Sequence, residues 1–290
     1  MNRRTFLETS IATAVLTSLP SKSFAATHQI DKVGVQLYSV REAMKADFEG
    51  SIAKVAAIGY KEVEFAGYFD HTPQQVRAAI DKNGLTSPAC HVDYALLGDK
   101  WPATLESSKI IGQSYIINPW IPEELRKTED DWKRAAATFN RAGEASQKAG
   151  IQFGYHNHWF EFLPVNGKLP YDTLLELCDP NLVKMELDLC WITVGGGDPL
   201  KYFDRYPGRF PLVHVKDVKA VPKVTTAGGQ DFGSSLKDIT EVGSGIIDWK
   251  KIFAQSEKAG IKHYIVEHDN PAHPFDSIKT SYEYLYKLRW

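Results

Sequence analysis

The chain has 290 residues, 43% hydrophobic and 24% charged, which is enough apolar material for a large core and suits a barrel running as one domain. Its formal net charge is −2, with no basic block or stripe, so the electrostatic footprint of a nucleic-acid binder is missing. No apolar run is long enough to span a bilayer.

In chain order, residues 1–26 read as an export signal and not as part of the fold. "MNRRTFLETS" is a positively charged start, "IATAVLTSLP" a short apolar stretch, and "SKSFA" ends in small residues. Arg3-Arg4 followed by Thr5-Phe6-Leu7 resembles the twin-arginine export signal. The expectation is a mature chain that starts near Ala26 and resides in the periplasm.

Beyond the leader one pattern recurs, an amphipathic helix closing on Gly and then a β-rich run. It appears as "KVAAIGYKEVEFAG", "AAIDKNGLTSPACHV", "SSKIIGQSYIINPW", "SQKAGIQFGYHNH" and "SEKAGIKHYIVEHD". Gly just past a helix takes the left-handed conformation that ends it, and the run that follows is apolar enough for a strand buried on both faces. With "KVGVQLYSV", "VKMELDLCWI" and "FPLVHVKD" there are eight predicted strands, beginning near residues 33, 60, 86, 114, 151, 183, 210 and 262. Helices are predicted over 47–58, 72–83, 101–111, 130–149, 171–178, 199–206, 249–259 and 275–289. Eight such units predict an α/β fold, a (β/α)8 TIM barrel over 27–290 as a single domain. The rival, an open doubly wound sheet, lacks the GxGxxG expected after its first strand.

One segment breaks the rhythm. Residues 219–246 are Gly/Ser/Thr-rich and too long for an ordinary connection; following the seventh strand, they are expected over the catalytic face. The cysteines, Cys90, Cys178 and Cys190, are odd in number, with Cys90 and Cys190 placed in strands as small buried hydrophobes and no disulfide expected.

A barrel of this kind assembles its active site at the carboxyl ends of the strands. Those ends read Gln36, Glu64, His91, Asn118 with Trp120, then His156, His158 and Glu161, Glu186 with Asp188, His214 with Lys216 and Asp217, and Glu267 with His268. Burying so many polar groups is tolerable only if they are paired or hold a cation. A lone histidine there reads as a satisfied core residue. Four successive strands ending in His, Asp, His and Glu read as a ligand set, of the imidazole and carboxylate type that suits a divalent first-row metal.

The ordered set "GVQLYSVR", "LDLCW", "HVKD", "EVGSGIIDW" and "YIVEHD" resembles the xylose isomerase-like TIM-barrel superfamily, over about residues 30–290. Within it the chain is similar to the sugar phosphate isomerase/epimerase branch, which includes D-tagatose 3-epimerase and inosose dehydratase. The resemblance implies one divalent metal ion (Mn, Co or Zn) on a glutamate, an aspartate, a histidine and a glutamate from strands five to eight. Asp188, His214 and Glu267 match the last three, and the strand-five position falls on His156, where the epimerases have glutamate. Many relatives also carry Asp-x-x-His on strand six, whereas Asp188 is followed by Leu189-Cys190-Trp191. Epimerisation between paired glutamates therefore lacks one base, and a dehydratase-type elimination fits a His/Lys-rich site better.

The implied common step is removal of a proton from carbon next to a carbonyl. His158 and Glu161 are assigned as base and acid, and Glu267 as ligand and second base. Lys216 is either an electrophilic partner or a lysine paired with Asp217 or Glu186. Glu64 and His91 are candidates for hydrogen bonds to sugar hydroxyls, and Trp120, Trp159 and Trp191 for an apolar platform under the sugar. "VGSG" at 242–245 reads as a tight turn in preference to a phosphate cradle, so an unphosphorylated sugar, cyclitol or oxidised glycoside is expected. The rival class is a non-catalytic carbohydrate-binding protein, which keeps the aromatics but does not need the ligand ring. A DNA-repair endonuclease of the same superfamily would need more metal ligands and a basic DNA track, which the chain lacks.

Overall fold

The computed structural model describes residues 28–221 and 237–290. The predicted leader, and residues 222–236 of the predicted insertion, lie outside the described residues. In chain order the elements are β1 (Val33–Gln36), α1 (Arg41–Ala46), α2 (Phe48–Ile58), β2 (Glu62–Ala66), α3 (Pro73–Lys82), β3 (Ala89–His91), α4 (Trp101–Ile111), β4 (Tyr115–Asn118), α5 (Glu129–Lys148), β5 (Gln152–His156), α6 (Pro170–Leu177) and β6 (Val183–Asp188). They continue with α7 (Leu189–Val194), α8 (Pro199–Arg205), β7 (Leu212–Val215), β8 (Asp217–Val218), β9 (Ile239–Thr240), α9 (Trp249–Phe253), α10 (Ser256–Ala259), β10 (His263–Val266) and α11 (Pro274–Lys287). Eight strands close in the order β1-β10-β7-β6-β5-β4-β3-β2, so the molecule is a (β/α)8 TIM barrel; β8 and β9 form a separate two-stranded ribbon. The barrel pairs are all parallel, with registers such as His156 opposite Glu186 and Asp188 opposite His214.

Strand periodicity separates two layers. Outward residues such as Val63, Phe65, Phe153, Met185, Leu187 and Val213 belong to one large core between barrel and helices. Inside the barrel Ala89, Ile117 and Leu212 form a small apolar plug of their own. Space there is tight: a Cβ at Gly34 would stand 2.5 Å from Ile265 Cδ1, and one at Gly154 would stand 2.6 Å from Ile117 Cδ1. At the helix ends Gly112 and Gly260 take φ of 90° and 83°, which a side chain would strain.

Two predicted elements differ. The predicted helix over 249–259 is two short helices, α9 and α10, broken at Ala254 and Gln255. "VKMELDLCWI" is not one long strand, because β6 stops at Asp188, whose Oδ1 accepts from the Cys190 and Trp191 amides (2.9 and 2.7 Å) and caps α7. Cys190 therefore lies on a helix; all three cysteines are buried and free. Among the described residues no helix is long and apolar enough to cross a membrane.

Candidate metal centre and active-site cavity

The end of β5 is built to aim two imidazoles. His156 closes the strand, and the next residue, Asn157, clamps it to β6: its Oδ1 accepts from the Asp188 amide at 3.0 Å. After that the chain turns, and Glu161 holds the turn, accepting the Tyr155 hydroxyl at 2.5 Å and the His158 amide at 2.9 Å. Because Asp188 spends Oδ1 on the α7 cap, its Oδ2 faces the barrel axis, 3.8 Å from His156 Nε2 and 3.9 Å from His214 Nδ1. His214 bridges two carboxylates, with Nδ1 3.0 Å from Glu267 and Nε2 2.7 Å from Glu64. Glu186 adds three contacts, 2.7 Å to His91, 3.2 Å to His156 and 3.3 Å to His214. Two overlapping groups result: Asp188, His214 and Glu267, and His91, His156, Glu186 and His214, each with one ligand atom per residue all within 4.8 Å of one another.

Charge explains the protonation pattern. Glu64, Glu186, Asp188 and Glu267 are buried, Asp269 is partly so, and one ammonium, Lys216, lies 3.2 Å from Asp188 and 2.8 Å from both Glu267 and Asp269. Burial opposes charge on His91, but Glu64 and Glu186 overcome it and push the ring up to about 9. His214 is also held well above the usual histidine range, again against burial, by Glu186 and Glu267. Burial and the neighbouring Glu64 push Glu186 up to about 7. His156 and His158 go the other way: burial holds both well below the usual histidine range, helped by His214 and Lys216 respectively. The donor set fits a divalent cation. Glu64 Oε1, Glu186 Oε1 and His156 Nδ1 are buried without a hydrogen bond, and clustered carboxylates beside the neutral His156 ring are the ligand types such an ion takes.

The cluster floors a cavity of about 760 Å3, whose wall here is His91, His156, His158, Glu267 and Asp269. From there it runs past Trp120 and Tyr68 along α4.

A family profile described as "Xylose isomerase-like TIM barrel" matches residues 52–288. The chain belongs to that family. Among its members the chain is 27% identical over 269 residues to an inosose dehydratase of Geobacillus kaustophilus, covering 82% of this chain and 86% of that protein. To an inosose dehydratase of Lacticaseibacillus casei it is 24% identical over 267 residues, covering 82% and 88%. A crystal structure of a sugar phosphate isomerase/epimerase from Parabacteroides distasonis superposes with a TM-score of 0.73 at 26% identity, covering 89% of this chain and 98% of that one.

In this family member three of the predicted ligands, Asp188, His214 and Glu267, form one group. His156 falls in the other, with His91, Glu186 and His214, and reaches the first through Asp188 at 3.8 Å, while His91, His158 and Trp120 line the cavity. The other assignments change. Glu161 is fully buried and not on the cavity wall; both its oxygens are engaged, and burial pushes it up to about 7, so it holds the turn and the His158 main chain instead of facing the cavity. Glu64 is likewise fully buried, accepting from Gln36 Nε2 at 2.9 Å and facing His214, so it orients that ring and is not part of the cavity wall. Trp191 is 1% exposed and packs with Cys190, Val194, Val218 and Ile239, with the Lys216 ammonium 5.0 Å from its ring, so it offers no platform. Lys216 pairs with Asp188, Glu267 and Asp269, not with Asp217 or Glu186.

Sequence reasoning placed Glu186 among the strand ends without giving it a ligand role, and it missed Asp269. Glu186 stands two residues before Asp188 on the same inward face of β6, a period-two signal that was legible. Asp269 follows the "EH" that ends the last strand and lines the cavity; burial pushes it up to about 6. "VGSG" is a turn whose amides serve Asp217: Gly243 N, Gly245 N and Trp249 Nε1 donate to its Oδ2 at 2.9, 3.2 and 3.0 Å. Those donors are unavailable to a phosphate.

Proposed function

We propose that the chain is a divalent-metal-dependent enzyme that removes a proton from the carbon next to a carbonyl in an unphosphorylated sugar, ketosugar or cyclitol. The observation that carries this reading is the group Asp188, His214 and Glu267, with His156 Nε2 3.8 Å from Asp188, under a cavity that also exposes His158. An ion held by those four residues would polarise the substrate carbonyl and offset negative charge on its oxygen. His158 is the base: burial and the Lys216 charge keep it neutral, and its Nδ1 makes no hydrogen bond. Glu161 fixes its main chain. Lys216 holds Glu267 and Asp269 in place, and its own charge persists because Asp188, Asp269 and Glu267 together outweigh burial.

After deprotonation, loss of a β-oxygen is favoured over return of the proton from the other face. His156 occupies the strand-five place at which paired-base epimerisation needs glutamate, and the curated relatives above are dehydratases. Proton NMR in D2O on ketosugars, inososes and keto-glycosides, with Mn, Co and Zn, tests the reading. One carbon of substrate or product gains deuterium if it holds. Sugar binding with no exchange in any of them replaces it with a binding protein.

The leader makes the periplasm the proposed location, reached by the twin-arginine route. An Arg3→Lys/Arg4→Lys variant should then be lost from the periplasmic fraction, and an unchanged yield rejects the route.

A further inference from the structure

The cavity has two chemically different ends. At the barrel end His158 Nδ1 is buried and makes no hydrogen bond, and His156 Nδ1 has only the 3.2 Å approach of Glu186, so hydrogen-bonding capacity is unmet there. At the other end the hydroxyls of Tyr68, Thr104 and Ser107 have already spent their hydrogens, which leaves the Lys100 ammonium and the Asp93 carboxylate as the charged groups there. Thr104 Oγ1 donates to the Lys100 carbonyl and Ser107 Oγ to the Ala103 carbonyl, each at 3.1 Å. The Tyr68 hydroxyl donates to Gln113 Oε1, also at 3.1 Å.

Lys100, Ala103, Thr104 and Ser107 share one face of α4, spaced three and four residues apart along about 10 Å of helix. Past the lysine that face shows methyl and methylene surface. Leu96 and the indole of Trp120 complete the wall. Trp120 is braced by the Arg126 guanidinium, 4.5 Å from its ring centre, and by the edge-on Phe160 ring at 5.1 Å.

Size points the same way. A free hexose has twelve heavy atoms, and at a water molecule's share of roughly 30 Å3 each it fills at most about 360 Å3. That is less than half of the cavity's 760 Å3.

We propose that the α4 end is a subsite for an aglycone, so that the protein takes intact glycosides. The sugar ring meets the histidines, and a flat apolar aglycone, such as a phenyl ring, lies between α4 and Trp120. This rests on the sugar-substrate reading above and names the substrate class.

Calorimetric titration of the full-length protein with methyl and phenyl glucoside, neither of which can lose an α-proton, reads the subsite without chemistry. The phenyl glucoside should bind at least about tenfold tighter, from burial of its ring. Ala103→Trp adds bulk at an exposed position of α4 and should compress that preference to within about twofold. Ser107→Phe is a second blocking variant on the same face. Equal binding of the two glucosides by wild type, no binding of either, or full preference retained in both variants overturns the subsite. Phenyl preference without proton exchange from any ketosugar keeps the subsite and removes the enzymatic reading. Exchange without phenyl preference does the reverse.

Discussion

Glu62 and Glu64 lie two residues apart on β2 and face the same way into the barrel, yet they sit in opposite kinds of surroundings. At the amino end Glu62 meets one ring, His263 Nδ1 at 2.8 Å, itself edge-on to Tyr115 at 5.7 Å. At the carboxyl end Glu64 touches Gln36 (2.9 Å), His214 (2.7 Å) and His91 (3.2 Å), in a network that leaves several buried atoms without hydrogen bonds. A carboxylate and an imidazole are present in both places. The lesson is that residue type does not mark a site; unmet hydrogen-bonding capacity beside a cavity does.

The comparison breaks most sharply at His158. His158→Gln should lower deuterium exchange by about 10²–10⁴ while metal content is unchanged, since it removes the proposed base and none of the proposed ligands. Unchanged exchange would move the base to Glu267.

A smaller effect is expected at Glu161, which is buried like the cluster but acts through His158. Its carboxyl is pushed by burial from the ordinary 4.5 up to about 7. Between those values the folded chain binds the proton more tightly than the unfolded chain, so stability from this group falls as pH rises from about 4.5 to 7. The whole effect is on the order of 3 kcal/mol. Glu161→Gln should remove that slope from denaturant titrations at pH 5 and pH 8; an identical slope in variant and wild type would reject the assignment.

The smallest effect belongs to the pair at the amino end. Glu62→Gln should cost under about 1 kcal/mol, since one partly exposed partner is weakened and the glutamine still reaches His263. Exchange measured on this variant should match wild type, and a tenfold loss would mean that the two ends are coupled.

How far the sequence shows this arrangement depends on local periodicity. The barrel is legible because each helix ends on glycine before an apolar run, as at Gly112 and Gly260. Asp188 and His214 are legible because they stand at the ends of regular strands, where alternation tells inward from outward. Glu161 is not, because it follows β5 in a 3-10 turn over Phe160–Phe162, where period two no longer says which way a side chain points. Trp191 and Cys190 are misplaced for a related reason: the capping role of Asp188 turns the chain into a helix immediately after the end of β6. The direction of the Lys216 ammonium depends on Asp269, a contact across 53 residues that no local pattern encodes.

Metal content tests the central claim most directly. Purified wild type and Glu62→Gln, loaded with Mn, Co or Zn and analysed by elemental mass spectrometry, should each carry one ion per chain. Asp188→Ala and His214→Ala, checked for folding by circular dichroism, should carry none. Full occupancy in the last two variants, or no stoichiometric ion in wild type, would contradict the account.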